Sequence, residues 1–430
     1  MTHFGVICPP YSGHINPQAS LARELQARGH RVTFLQLPDL EEKIRSAGVG
    51  FCPIGTTLYK PGSLAEMFEQ LAKLNGIESL QYSVEFCRHM AEIVCQDAPD
   101  AIAREGIEVI ICDQLEPVGE TIAESLNLPF ICVSCGQAIH RRADVPPFFM
   151  PWPYENTLGA RVRNQVAYYI LDRSCRPILQ EINRYRRRCN LPPYRRIYQS
   201  NTRLAHISQQ PPAFDFPLSD LPTHFHYVGP LRTPNPQTVS FPFDRLNGKP
   251  LIYASLGSIQ NTKKDVFYCI AAACEDLDAQ LVMTLGGGIP IDALPNLPGS
   301  PLLVDYAPQT EILSRASLTI THGGMNTVLD SLSYGVPMVA LPITFEQPGT
   351  GARIRWTGVG EVIPIDQVNT ANLKAAVEQV FTEQSYRQNA KRIQQSIAEA
   401  GGASRAAEVI EQALQSNYPV ESPTLVGATM

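Results

Sequence analysis

A strand-like run, Leu318-Thr319-Ile320-Thr321, stops at His322, and Gly323-Gly324 then leads through Met325-Asn326-Thr327 into a helical stretch. A helix N-terminus presents unpaired backbone N–H groups and the positive end of its dipole, so a diphosphate suits such a turn. Gly323 and Gly324 have no Cβ to hold an anion away from the main chain, and His322, Asn326 and Thr327 add side-chain donors. Asp330, one helical turn beyond Asn326, is spaced to accept from ribose hydroxyls. The bland alternative is a glycine turn that only opens a helix.

A second constellation sits near the N-terminus. Tyr11-Ser12-Gly13-His14 reads as a loop at the carboxyl end of the apolar run Phe4 to Cys8, and open α/β sheets bind ligands at that edge. An imidazole near its free pKa is suited to take a proton from a hydroxyl as it attacks, which makes His14 a candidate general base. Asp113 ends another apolar run, Val109 to Cys112, and can orient such a histidine as in a His-Asp pair. A buried capping histidine and a helix-capping aspartate are the structural alternatives.

The elements that must hold these groups follow from the apolar runs. Strands are expected at Phe4 to Cys8, Arg31 to Leu35, Val109 to Cys112, Phe130 to Ser134, Leu251 to Ser255, Gln280 to Leu285, Leu302 to Val304, Leu318 to Thr321 and Met338 to Leu341, alternating with helices. The first helix is expected to start at Asn16-Pro17. This pattern predicts two doubly wound α/β domains. The prolines of Gly229-Pro230-Leu231-Arg232-Thr233-Pro234-Asn235-Pro236 place a linker over 229–248, giving domains at 1–228 and 249–400 with a tail over 401–430.

Composition suits two cores, at 44% hydrophobic and 18% charged residues over 430. No apolar run approaches the roughly 20 residues that span a bilayer and no basic leader is evident, so the expected location is the cytoplasm. Eleven cysteines at irregular spacing argue for reduced thiols, and the Cys132/Cys135 pair has no second pair to complete a metal site. Asp276-Leu277-Asp278 has a metal-binding form but precedes a strand, away from the diphosphate turn. Gly286-Gly287-Gly288 lacks the full dinucleotide fingerprint.

The chain resembles GT-B glycosyltransferases of the UDP-glycosyltransferase superfamily (glycosyltransferase family 1) over essentially its whole length, and among them the bacterial carotenoid (zeaxanthin) glucosyltransferases. The resemblance is carried by His3-Phe4 with Pro9-Pro10, Gly29-His30-Arg31-Val32-Thr33-Phe34, Asp113-Gln114-Leu115-Glu116-Pro117 and the block from Thr319 to Asp330. It implies two Rossmann-like domains facing a cleft, with helices after about Ala400 returning to the first domain. It also implies a uracil stack on Tyr306, ribose contacts from Gln309 and Asp330, diphosphate contacts from Ser258, His322, Asn326 and Thr327, and hexose recognition by Glu346-Gln347. His14 becomes the base and Asp113 its partner, with no metal or cofactor. Plant members carry Trp where Tyr306 and Met325 stand, Glu for Asp330 and Asp for Glu346; Met325 cannot donate a hydrogen bond to a sugar.

Residues 141–198 hold twelve Arg and no Lys against Asp144, Glu155, Asp172 and Glu181, a balance of +8 in a chain of net −6 and hence −14 elsewhere. Interleaved Phe148, Phe149, Met150, Trp152, Tyr154, Tyr168, Tyr169 and Ile170 give an apolar, basic surface suited to a membrane face; the alternative is a solvated basic helix, and no nucleic-acid motif accompanies the charge. The expected activity is an inverting, metal-independent transfer of glucose from UDP-glucose to a hydroxyl of a lipophilic acceptor, zeaxanthin-like carotenoids first. A sterol, polyketide or flavonoid acceptor is the rival within the class, and a UDP-sugar epimerase or hydrolase the rival outside it.

Overall fold

The computed structural model describes residues 1–74, 76–198, 202, 204–218, 220–233, 239–257, 261–416 and 418–420. Seven strands form the first sheet: β1 (His3–Ile7), β2 (Arg31–Gln36), β3 (Gly50–Pro53), β4 (Val109–Asp113), β5 (Phe130–Ser134), β6 (His206–Ser208) and β7 (Phe225–Tyr227). Six form the second: β8 (Leu251–Ser255), β9 (Gln280–Thr284), β10 (Leu302–Val304), β11 (Ala316–Thr321), β12 (Met338–Ala340) and β13 (Gly360–Val362). Both sheets are parallel. Their inner strands are apolar runs buried throughout, as in Val109-Ile110-Ile111-Cys112, because helices cover both faces.

Strand order carries the functional consequence. The sheets run β3-β2-β1-β4-β5-β6-β7 and β10-β9-β8-β11-β12-β13. In each the order reverses beside the first strand, between β1 and β4 and between β8 and β11, and at such a switch point the flanking loops part to leave a crevice. Ile7 registers with Cys112, and Ser255 with Thr321, so the segments after each pair emerge side by side.

The first helix departs from the sequence expectation. It spans Ser12–Ala27, so His14 lies in its first turn, not in a loop, and Pro17 is inside the helix. Pro17 has no N–H to give the carbonyl four residues back, that of Gly13, and Asn326 Nδ2 of the second domain donates to that oxygen at 2.7 Å. The proline thus does not mark the helix start; it frees an acceptor for an interdomain bond.

Two further segments tie the domains together. Helix Gly402–Ser416 buries Ala403, Ala406, Val409 and Ile410 in the core of the first domain. In the other direction, Phe214 leaves the first domain to pack, fully buried, among Val328, Leu332 and Ile354. Beside it Asp215 accepts from Arg353 Nε at 2.8 Å and from Tyr227 at 2.8 Å, and the Arg353 guanidinium lies 4.2 Å over the Phe216 ring. Burial alone would raise the Asp215 carboxyl, but Arg353 and His140 hold it well below the carboxylate range. No helix among the described residues is long and apolar enough to cross a membrane.

Candidate active site

On the first domain, Asp113 closes β4 and His14 follows β1. His14 Nδ1 lies 2.8 Å from Asp113 Oδ2, which also accepts from Gln18 Nε2 at 3.1 Å; Asp113 Oδ1 accepts from the Leu115 N–H at 2.9 Å. Both side chains are buried. Because the carboxylate can only accept, Nδ1 carries the proton and Nε2 is the nitrogen left to take another. Burial pulls the His14 imidazole down, yet the charge and hydrogen bond of Asp113, with Glu346 adding, leave it above its ordinary 6.5. The same pairing, with the Leu115 and Gln18 bonds, overcomes burial and keeps Asp113 ionised below the usual range.

Glu116 was missed from sequence although it lies in the stretch Asp113-Gln114-Leu115-Glu116-Pro117. Burial first, and then the charge of Asp113, push it to about 8, so it is chiefly a neutral acid at pH 7 beside the pair. Gln18 carried a readable signal, one helical turn from His14 on the same face; Glu116 carried none.

The aromatic surroundings of His14 were equally unread. Tyr11 lies 6.2 Å from the His14 ring, 5.8 Å from Phe68 and 6.5 Å from Phe86 between ring centres. Tyr198, whose hydroxyl burial pushes far up, stands 6.0 Å from Phe148 and is within electrostatic reach of Tyr11 and Glu116. These rings come from the helices Ser63–Lys73 and Gly76–Glu105 and from chain segments around 148 and 198. They give the first domain's side of the cleft an apolar wall.

On the second domain, helix Met325–Ser333 starts at Gly324 without a side-chain cap, and Gly323 takes φ +84°. Its first N–H groups thus retain the anion-binding capacity that the glycine turn implied. His322 precedes them between two glycines: a Cβ on Gly257 would fall 2.7 Å from the ring and one on Gly324 2.5 Å from it. Burial lowers the imidazole to about 4, so it is neutral at pH 7.

Asp330 Oδ1 accepts from Arg232 Nε at 2.8 Å, and Oδ2 from Gln309 Nε2 at 2.6 Å. Thr327 and Tyr253 both donate toward Gln309 Oε1, at 3.5 and 3.3 Å. Asn326 Oδ1 accepts from Arg232 Nη2 and from Gln209 Nε2, each at 3.0 Å. Asn326, Thr327, Gln309 and Asp330 therefore form one cluster, and sequence reasoning omitted the Arg232 that joins two of them. Tyr306 projects its ring, 57% exposed, while its hydroxyl donates to the Gly286 carbonyl at 3.1 Å. The Gly286-Gly287-Gly288 loop thus supports that ring: Gly287 takes φ +72°, and a Cβ there would meet the Tyr306 hydroxyl at 2.8 Å.

Glu346 caps helix Gln347–Thr357 after Phe345, which holds a left-handed φ of +55°. A non-glycine residue in that region stores strain, commonly at a functional turn. Gln347 Oε1 accepts from the Ile343 and Thr344 N–H groups at 2.8 and 3.0 Å, which fixes its amide toward the loop. Burial raises the Glu346 carboxyl, and its charge acts on His14 across the cleft.

Ser258 lies outside the described residues. Asp276 and Asp278 pair with Lys374 and Lys249 just before β9, at the opposite edge of the sheet from His322. Cys132 and Cys135 are free, buried thiols. Cys135 does lie near the pair, and the ligand atoms of His14, Asp113 and Cys135 fall within 4.8 Å of one another.

Residues 51–398 match the family described as UDP-glucoronosyl and UDP-glucosyl transferase. The chain is 38% identical over 425 residues to a zeaxanthin glucosyltransferase of Pantoea ananas, covering 98% of each. To a zeaxanthin glucosyltransferase of Pseudescherichia vulneris it is 33% identical, covering 98% of this chain and 100% of that one. Among solved structures, the glycotransferase of kitacinnamycin superposes with TM-score 0.75 at 21% identity, covering 96% and 99% of the two chains. The calicheamicin glycosyltransferase CalG4 superposes with TM-score 0.74 at 21% identity, covering 97% and 100%. Both support the two-domain GT-B fold.

Proposed function

The chain belongs to the UDP-glucoronosyl and UDP-glucosyl transferase family, and we propose that it moves glucose from UDP-glucose to a hydroxyl of a lipophilic acceptor, a hydroxylated carotenoid such as zeaxanthin first, with inversion to a β-glucoside. The observation that carries this reading is the His14–Asp113 pair set among Tyr11, Phe68 and Phe86 on one domain and facing Glu346 of the other.

In the proposed reaction the acceptor hydroxyl gives its proton to His14 Nε2 as its oxygen bonds to the anomeric carbon. The bond from that carbon to the β-phosphate oxygen breaks, and UDP leaves with the electron pair. Asp113 stabilises the imidazolium that forms. The first turn of helix Met325–Ser333 receives the charge of the diphosphate, the role a divalent ion fills elsewhere, so no metal is needed. Tyr306 stacks the uracil, Gln309 and Asp330 hold the ribose, Asn326, Thr327 and His322 hold the diphosphate, and Glu346 and Gln347 read the hexose hydroxyls. The apolar wall supports a lipophilic acceptor, as do the relatives named for zeaxanthin.

The test is mass spectrometry of purified protein with UDP-glucose and detergent-dispersed zeaxanthin, with and without EDTA. A hexose-shifted carotenoid is expected in both. UDP-glucose consumed without any conjugate would overturn transfer in favour of an epimerase or hydrolase; conjugates formed only on sterols, polyketides or flavonoids would overturn the carotenoid.

A further inference from the structure

Helix Leu158–Ser174 packs on the first domain in an inverted sense. The residues it turns inward are small or polar: Ala160, Asn164, Ala167 and Tyr168. Asn164 Nδ2 donates to the Ala143 carbonyl at 2.9 Å, and the Tyr168 hydroxyl to the His140 carbonyl at 2.9 Å beneath the Arg141 guanidinium. Its large apolar residues point out. Leu158, Val162, Val166, Tyr169 and Ile170 are 81, 53, 52, 68 and 57% exposed. At 100° per residue these five fall on one stripe covering about a third of the helix circumference. A stripe that a soluble helix would bury is here the solvent face.

The charges around it that form no ion pair have one sign. Arg161 borders the stripe, Arg173 extends it at its C-terminal end, and Arg176 follows at the start of the next helix; all three are exposed and none forms an ion pair among the described residues. Asp172 and Glu155, the nearest acids in sequence, pair with Arg141 and Arg163. The wider basic count of the region is not all surface: Arg186 is buried against Tyr194, and Phe148, Trp152 and Tyr154 are partly covered. The apolar, cationic surface is thus narrower than residues 141–198 and includes Leu158, Val162 and Val166, which the composition of that region did not single out.

We infer that this helix is a peripheral docking site for an anionic lipid bilayer, its stripe entering the acyl boundary and its arginines meeting the headgroups. A second copy of the chain is a poorer occupant, because a two-fold contact along the stripe would bring the arginines of both copies together. This inference stands on the surface alone and needs no particular sugar or acceptor.

The test is flotation of the full chain, without substrates, with vesicles of phosphatidylcholine containing 30% phosphatidylglycerol and with pure phosphatidylcholine vesicles. The expected result is co-flotation with the anionic vesicles that salt weakens. Combined Arg161→Gln, Arg173→Gln and Arg176→Gln should weaken partitioning roughly a hundredfold, about fivefold per arginine. Combined Val162→Ser, Val166→Ser, Tyr169→Ser and Ile170→Ser should abolish flotation while leaving thermal unfolding and the hydrolysis or transfer of UDP-glucose in detergent unchanged. Failure of the wild-type chain to float, equal flotation of the serine variant, or a dimer that the serine variant splits would each overturn the proposal.

Discussion

Asp113 sets the pH at which His14, as the proposed base, would work. A base acts in its neutral form, so kcat/KM should fall as pH drops through the His14 pKa, which Asp113, with Glu346 adding, holds above 6.5 against burial. Asp113→Asn removes the charge and leaves the burial. Its acid limb should therefore shift to lower pH, while the plateau rate drops about a hundredfold or more. A limb that stays in place would show that Asp113 does not act on the base. Tyr306→Ala should raise the KM for UDP-glucose roughly five- to a hundredfold, the worth of a base–aromatic stack, with kcat little changed and Tyr306→Trp restoring it. Steady-state kinetics with varied donor separate these outcomes. The glycine turn after His322 and the helix it opens were legible because their residues are contiguous. The His14–Asp113 contact crosses 99 positions, and Arg232 reaches Asn326 across 94, so residue types suggested the first while nothing local announced the second.

Pro17 shows how one element serves another. Its missing N–H leaves the Gly13 carbonyl to Asn326. Pro17→Ala should leave the urea midpoint equal or higher, since the helix gains a bond, yet lower transfer severalfold, because the new N–H competes for the same oxygen. A parallel loss of stability and activity would contradict this. Asp215 and Arg353 form the buried strut between the domains, and helix Gln347–Thr357, which carries Arg353, begins beside Glu346. Asp215→Asn leaves a buried guanidinium without its counter-charge, so a cost of about 3–5 kcal/mol in urea denaturation is expected. The nine strands read from sequence are mostly apolar, down to the three residues of β10 and β12. Those missed, β3, β6, β7 and β13, are equally short, and Pro53, His206, Ser208, His226 and Glu361 within them break any apolar run.

The halves of the molecule share no evident sequence repeat, yet both sheets reverse order beside their first strand. Each switch point holds half of the candidate site, and the interdomain contacts of Gly13, Phe214 and Asp215 set one half against the other. That opposition predicts a stereochemical outcome. With the proposed base on one domain and the proposed diphosphate site on the other, attack and departure are expected on opposite faces of the anomeric carbon. The proton NMR spectrum of the purified glucoside tests this most directly. The account predicts the large trans-diaxial coupling of a β-linked anomeric proton from the α-linked donor. The small coupling of an α-glucoside would mean retention, and would contradict a single displacement with His14 as base.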